Sequence, residues 1–493
     1  KQLPVLRETR MAQWYSYIIK ENMYGFGIQL VTLLSGLLFA AIFPNLLGAE
    51  EFGYFSITLA YMNMWLFLGD FGISSSVFRF VPLGLKKKAA GAYYALLLRW
   101  KLLLSLLASA LLFLLANIIA VELYHLPFLS SGLRVGSAFV LFYSLFVFYD
   151  ATLTAIKKAK YSLFANVVFY SLRILAPVLV FMVFPNYVGV IFGLALASLA
   201  AFICAYLLSR KSEALSERGK AALRVQEIKK FAGYLTLSHV ADNFIAWADT
   251  LIIGLSQSVS QVAYYKVALL WVSAASVLNP FAHRVFFSAY SFEDAARSGK
   301  MFARMLRYGF VFAFLMLLGM LLLGRKFLSL IYGSQFLPAY EVLVVLAFLV
   351  FETGLNSASY PFLLGKGHVR FYTCARIAIG FLQTALCLLL TPTYGIMSTA
   401  LVVMGCRVGG ALAAAGYSML KLGVRADASL LLKPFLCAAL VFLVTQPLVA
   451  QVHDVYAGIA IGVWTVLGYS ALLLITRTVS ISDASAVLRA LGR

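Results

Sequence analysis

Apolar runs of about twenty residues recur roughly every 25 to 30 positions along this chain, separated by short polar gaps. About twenty helical residues cross the hydrocarbon core of a bilayer, so each run predicts one transmembrane α-helix. The runs fall at 23–43, 53–81, 94–119, 135–156, 163–184 and 188–208. After a polar segment they resume at 232–255, 263–289, 309–323, 340–364, 371–391, 395–417, 431–449 and 456–476. The pattern predicts an all-α polytopic membrane protein of fourteen spans with both termini on one side.

The polar gaps supply the orientation. The odd-numbered gaps hold only Arg134, Arg325 and Lys326. The other side carries Lys86 to Lys88, then Lys157, Lys158 and Lys160, and a basic stretch with Arg210, Lys211, Arg218, Lys220, Arg224, Lys229 and Lys230. By the positive-inside rule the basic side is cytoplasmic, which places both termini in the cytoplasm and the protein in the cell inner membrane. The basic N-terminus shows no small-residue cleavage site after the first run, so span 1 is expected to remain as a signal anchor.

Composition changes little in this picture. Fourteen spans of about 22 residues account for roughly 310 positions, in line with 62% hydrophobic residues and a mean hydropathy of +0.91. The net charge of +21 would suggest a nucleic-acid partner in a soluble chain. Here it is divided among loops and sets topology. Cys204, Cys374, Cys387, Cys406 and Cys437 all lie in apolar runs without paired spacing, so they indicate neither disulfides nor a metal cluster.

The organisation expected is an N-terminal lobe of spans 1 to 6 (1–208), a basic amphipathic linker helix (209–231), a second lobe of spans 7 to 12 (232–420), and two further spans with a tail (421–493). A duplication at an offset near 208 supports the two lobes. Ala155-Ile156-Lys157-Lys158-Ala159 aligns with Leu363-Leu364-Gly365-Lys366-Gly367, and Pro185-Asn186-Tyr187 with Pro392-Thr393-Tyr394. Gly53-Tyr54-Phe55 echoes Ala263-Tyr264-Tyr265 more weakly. Six spans per repeat relate the lobes by an axis along the membrane normal, with a substrate cleft between them that opens alternately to each side.

Ionisable groups inside spans are costly and are functional candidates by default. Arg173, Arg376 and Arg407 lie within spans, and Arg79 and Arg284 near the cytoplasmic ends of spans 2 and 8. Five cations in a lipid-embedded core call for an anion, because the planar arginine fork suits phosphate oxygens. Asp70, Asp150, Asp242, Asp249 and Glu352 are the alternative partners, as permanent internal pairs. Arg79 and Arg284 have the further option of snorkelling to the interface. In span 7, His239, Asp242 and Asp249 share one helical face, which suits either coupling of Na⁺ or H⁺ or structural pairing. Glu352 in span 10 has the same two readings. Asn279-Pro280, Pro177, and Gly69 with Gly72 mark expected bends.

No phosphate-cradling Gly-Lys-Ser/Thr loop occurs, the five histidines make no metal spacing, and no hydrolytic triad sits at a membrane surface. The chain is therefore expected to be no enzyme and to need no cofactor, metal or nucleic acid.

These residues also carry a resemblance. The stretch NLLGAEEFGYF from Asn45 to Phe55, then Gly69-Asp70-Phe71-Gly72-Ile73 and Arg79, resembles the start of the polysaccharide-transport family. Further matches are Asp249 to Gly254 with Ala263-Tyr264, Ile331 to Phe336, Leu364 to Gly367, and Pro392 to Ile396. The family holds flippases for O-antigen and other lipid-linked oligosaccharides, within a superfamily (MOP) shared with multidrug extruders and the lipid II flippase. The resemblance implies a V-shaped transporter with two six-helix lobes, as in the multidrug extruders, plus two C-terminal helices. It implies transfer of an undecaprenyl-pyrophosphate-linked oligosaccharide to the periplasmic leaflet through a cationic cavity, for surface polysaccharide synthesis. Membrane lipids, a polymerase and chain-length proteins are the implied partners, with Na⁺ or H⁺ as coupling ion. A multidrug extruder using Asp242 and Asp249 is the alternative, as is a lipid II flippase, although residues 23–43 lack the charges that the lipid II flippase places in its first span. A non-transporting scaffold for assembly enzymes is a third reading.

Overall fold

The computed structural model describes residues 3–86, 89–210, 224–277, 290, 295–423, 429–451 and 455–478. Those residues are helical with short turns. In order they form α1 (Leu3–Leu68), α2 (Ile73–Lys86), α3 (Ala90–Asn117), a π-helical turn (Ile118–Leu123), α4 (Leu129–Ala155), α5 (Ala159–Val183), α6 (Tyr187–Arg210) and α7 (Val225–Ser256). There follow α8 (Val259–Val277), α9 (Ala295–Tyr332), α10 (Ala339–Leu346), α11 (Val350–Gly365), α12 (Val369–Leu422), α13 (Ser429–Gln451) and α14 (Val455–Ile475). Helices satisfy every backbone amide internally, the condition for standing in hydrocarbon.

Nine segments of the described residues have the length and hydropathy of a membrane crossing, so the chain is a multi-pass membrane protein. Two of them, of 62 and 53 residues, far exceed one crossing. Each bends where a glycine adopts a left-handed backbone, Gly48 at φ 73° and Gly395 at φ 72°, a conformation that an L side chain resists. The expected span 2 is also not continuous. Gly69 to Gly72 interrupt it, with Phe71 at φ 41° and Gly72 at φ 70°. Pro177, by contrast, leaves α5 unbroken. Span 9, read as 309–323, extends upstream to Ala295, because Arg297, Lys300, Arg304 and Arg307 continue one helical face beyond the apolar run. Most of the expected linker, 211–223, lies outside the described residues, while 225–231 belong to α7.

Contacts divide the chain into two compact units, Lys1–Leu255 and Ser256–Arg493. In the first, α6 packs on α4 and α5 through a face of small residues including Gly189, Gly193, Ala197, Ser198 and Ala201. Small side chains let membrane helices approach closely; a Cβ on Gly193 would stand 2.3 Å from Pro177 Cα. The outer faces are apolar: Leu103, Leu114 and Met182 are 64%, 70% and 75% exposed. Apolar side chains outward and polar ones inward is the distribution lipid requires.

Helix-ending turns of one kind close helices in both units. In the first unit the amide of Lys158 donates to Leu153 O at 2.9 Å and that of Lys157 to Thr154 O at 3.0 Å, with Lys157 left-handed at φ 62°. In the second, His368 donates to Leu363 O at 2.7 Å and Gly367 to Leu364 O at 3.2 Å, with Gly367 at φ 82°. The same turn closes α14, where Thr478 donates to Leu473 O at 2.9 Å and Arg477 to Leu474 O at 3.0 Å, with Arg477 at φ 52°; it is a general way of ending a helix.

Candidate functional site

The mid-helix charges gather in two places, one in each unit. In the second unit, Glu352 stands in the first turn of α11, just after the 3₁₀ turn Ala347–Leu349. Two residues on, Gly354 crosses Gly309 of α9 so closely that a Cβ on either would come within 2.7 Å of the other's carbonyl oxygen. That crossing brings α9 and α11 backbone to backbone and holds the carboxylate in the interior.

Glu352 Oε2 accepts a hydrogen bond from Arg407 Nε at 2.7 Å, and its Oε1 lies 3.8 Å from an Arg376 Nη. The two arginines come from α12 on opposite sides of its bend at Gly395, so one carboxylate ties both halves of that helix to α11. The Glu352 side chain is 10% exposed, those of Arg376 and Arg407 19% and 24%. All three line a cavity of about 660 Å³, together with Asn356, Tyr360 and Tyr372. Ser273 and Ser276 of α8 complete its polar wall. The arrangement is one buried anion shared by two guanidiniums, with open volume beside them.

The first unit holds a different constellation. Asp70, in the break between α1 and α2, pairs with Lys101 of α3 at 2.5 Å. The Lys101 side chain is 1% exposed. Ser74 donates its hydroxyl to the same Asp70 oxygen and its amide at 3.3 Å. Ser105 and Ser144 close the group by donating to Gly69 O. Sequence reasoning offered Asp70 as a partner for an arginine and did not single out Lys101. The signal lay in the period: Lys101, Ser105, Ala108, Leu112 and Ala116 form the buried stripe of α3, while the leucines between them face outward.

The other candidates are dispersed. Arg173 of α5 stacks on Phe39 of α1 at 4.7 Å and makes no ion pair among the described residues. Arg79 is exposed and lies over Phe231 at 4.6 Å. Arg284, with Asn279-Pro280, lies outside the described residues. Asp150 accepts hydrogen bonds from Ser162 and Asn166 at 2.5 and 2.8 Å. On α7, Asp249 is 1% exposed and caps Thr250, accepting from its amide at 2.6 Å and hydroxyl at 3.0 Å. Asp242 and His239 are half-buried two and three turns away. Seven residues of helix separate the two aspartates by roughly 10 Å, too far to share one ion. No group of three or more metal-ligating side chains occurs among the described residues.

A family model described as "Polysaccharide biosynthesis protein" matches residues 42–341. No curated protein matches the chain. Among solved structures, the lipid II flippase MurJ in an inward closed conformation is similar at TM-score 0.74 and 16% identity, over 92% of this chain and 98% of that one. An inward-facing multidrug transporter of the MATE family, in the MOP superfamily, gives 0.64 and 14%, over 80% and 94%. A MOP superfamily transporter from Pyrococcus furiosus, described as having a binding pocket of reverse polarity, gives 0.54 and 13%, over 84% and 96%. These likenesses establish the fold.

Proposed function

Since the chain belongs to the polysaccharide biosynthesis protein family and has the fold of the MOP superfamily, we propose that it is a flippase for lipid-linked oligosaccharides. Its substrate is an undecaprenyl-pyrophosphate-linked repeat unit, moved from the cytoplasmic to the periplasmic leaflet of the inner membrane by alternating access. The termini and the lysine-rich turns face the cytoplasm. A polymerase and chain-length proteins act downstream of it.

The observation that carries this reading is the excess of arginine over carboxylate in an open cavity of the second unit. A flippase must receive a charged, hydroxylated headgroup in a shielded site while the polyprenyl chain stays in lipid. Guanidiniums meet the charge with directional bonds, and the amide and hydroxyl groups beside them meet the sugar. An extruder of organic cations needs the opposite sign of wall.

Complementation tests it. The native gene is deleted and wild type, Arg407→Gln or Asp242→Ala is returned at matched expression, with surface polymer and inner-leaflet lipid-linked units scored. Loss of polymer with accumulation of those units in the deletion and in Arg407→Gln is the expected result. Unaffected polymer with lowered resistance to cationic dyes, worst in Asp242→Ala, replaces the flippase by a Na⁺- or H⁺-coupled extruder.

A further inference from the structure

We infer that the basic stripe at the start of α9 is a docking surface for an acidic helix of a cytosolic protein. The inference goes beyond the transport reading and takes one premise from it, that α9 begins on the cytoplasmic side.

Lys300, Arg304 and Arg307 succeed one another at intervals of four and three, which places them within about 60° of each other around the helix. Lys300 and Arg304 are exposed and Arg307 is half-buried. None of the three makes an ion pair or hydrogen bond with another described residue. Arg297 begins the same face and has an interaction of its own. The opposite face is packed: Phe302, Met305 and Leu306 are 0%, 4% and 1% exposed. Phe302 meets Phe362 edge to face at 6.0 Å, and the Tyr290 hydroxyl donates to Met305 Sδ at 3.6 Å. One turn on, Gly309 crosses Gly354 backbone to backbone. The stripe is held rigid from behind, so little ordering entropy is lost when a partner meets it.

The axis of α9 carries the stripe away from the bilayer. Residues 308–324 hold no charge and span roughly 26 Å as a helix, close to the hydrocarbon thickness of about 30 Å. Arg307 therefore marks one boundary and Arg325 the other. The helix is continuous from Ala295 to Tyr332. Lys300 accordingly stands roughly 8 to 10 Å beyond Arg307 for tilts up to about 40°, outside a headgroup layer of about 5 to 7 Å.

That placement selects the partner. A basic amphipathic helix that binds a bilayer lies flat with its apolar face in lipid. Here the apolar face is buried in protein and the helix stands up, so anionic headgroups reach Arg307 and not Lys300. A pyrophosphate is too compact to meet three cations that extend over roughly 10 Å. A nucleic acid asks for aromatic rings on which to stack its bases, and the stripe has none on its face. A row of carboxylates at the same spacing on a second helix meets all three cations.

The test uses the full chain in nanodiscs of zwitterionic lipid. The probe is a fluorescent helical peptide with three glutamates on one face at the spacing of the stripe. A second peptide has the same composition with its glutamates spread around the helix. Fluorescence anisotropy should show wild type binding the first about tenfold tighter than the second, the effect of three exposed ion pairs. Raising the salt should shrink the difference. Lys300→Gln, Arg304→Gln and Arg307→Gln combined should abolish it with an unchanged thermal midpoint, which separates docking from folding. Lys160→Gln, Lys229→Gln and Lys230→Gln combined remove the same charge from other exposed positions and should leave the preference intact. Equal binding of the two peptides, or equal losses in the two triple variants, overturns the inference. So does displacement of the peptide from wild type by short-chain phosphatidylglycerol or by a single-stranded oligonucleotide at equal charge, which would give the stripe to lipid or nucleic acid. None of these results touches the flippase reading, which stands or falls on accumulation of lipid-linked units in the deletion strain.

Discussion

The two charge clusters differ in stoichiometry: one is a one-to-one pair, the other a carboxylate shared by two guanidiniums. In the first unit one lysine meets one aspartate, and the Lys101 ammonium, the Ser74 hydroxyl and the Ser74 amide all converge on one carboxylate oxygen, Asp70 Oδ1. The pair is neutral, and it stitches α3 to the break between α1 and α2. In the second unit one glutamate is shared by two arginines beside a cavity, and one guanidinium keeps a free fork. Both are costly ion pairs in a lipid-embedded protein. The second lines a cavity.

The comparison breaks most sharply at Lys101. Lys101→Met leaves the Asp70 carboxylate without its cation, which should cost roughly 3 to 5 kcal/mol and lower the thermal midpoint in detergent by many degrees. Adding Asp70→Asn should restore most of the loss. A Lys101→Met protein as stable as wild type would refute the structural account of this pair. Next in size is Gly354→Ala. Its new Cβ would sit 2.7 Å from Gly309 O, an overpacking worth about 1 to 3 kcal/mol. The same substitution should move Glu352, so Arg407-dependent binding should fall along with stability. Arg407→Gln should be milder for folding than Lys101→Met by thermal unfolding, because Glu352 keeps Arg376 at 3.8 Å and the site passes from net +1 to neutral. The same variant should lose surface polymer. An Arg407→Gln midpoint as low as that of Lys101→Met would make the second cluster structural too.

The helical, multi-pass character was legible because lipid imposes a one-dimensional rule: twenty apolar residues make a crossing. The helical class followed from reading along the chain, which also singled out Arg376, Arg407 and Glu352 as charges within apolar runs. Hydropathy could not show where a helix continues past its apolar run, so α9 began earlier than expected. Nor could it show that the segment around Asp70 breaks, since that depends on Gly72 taking a left-handed backbone beside a buried partner.

What the tertiary structure alone decided is pairing. Glu352 and Arg407 are separated by 55 positions and by a bend at Gly395; Asp70 and Lys101 by 31 positions and a broken helix. Composition gives the number of intramembrane charges. The close crossing of Gly309 and Gly354, which sets where a carboxylate stands, follows from packing. The sequence therefore determined that charges are held inside the membrane, because each is read against its own apolar run. Which of them neutralise each other was decided by helix packing, because an ion pair depends on a few ångströms that no pattern along the chain encodes.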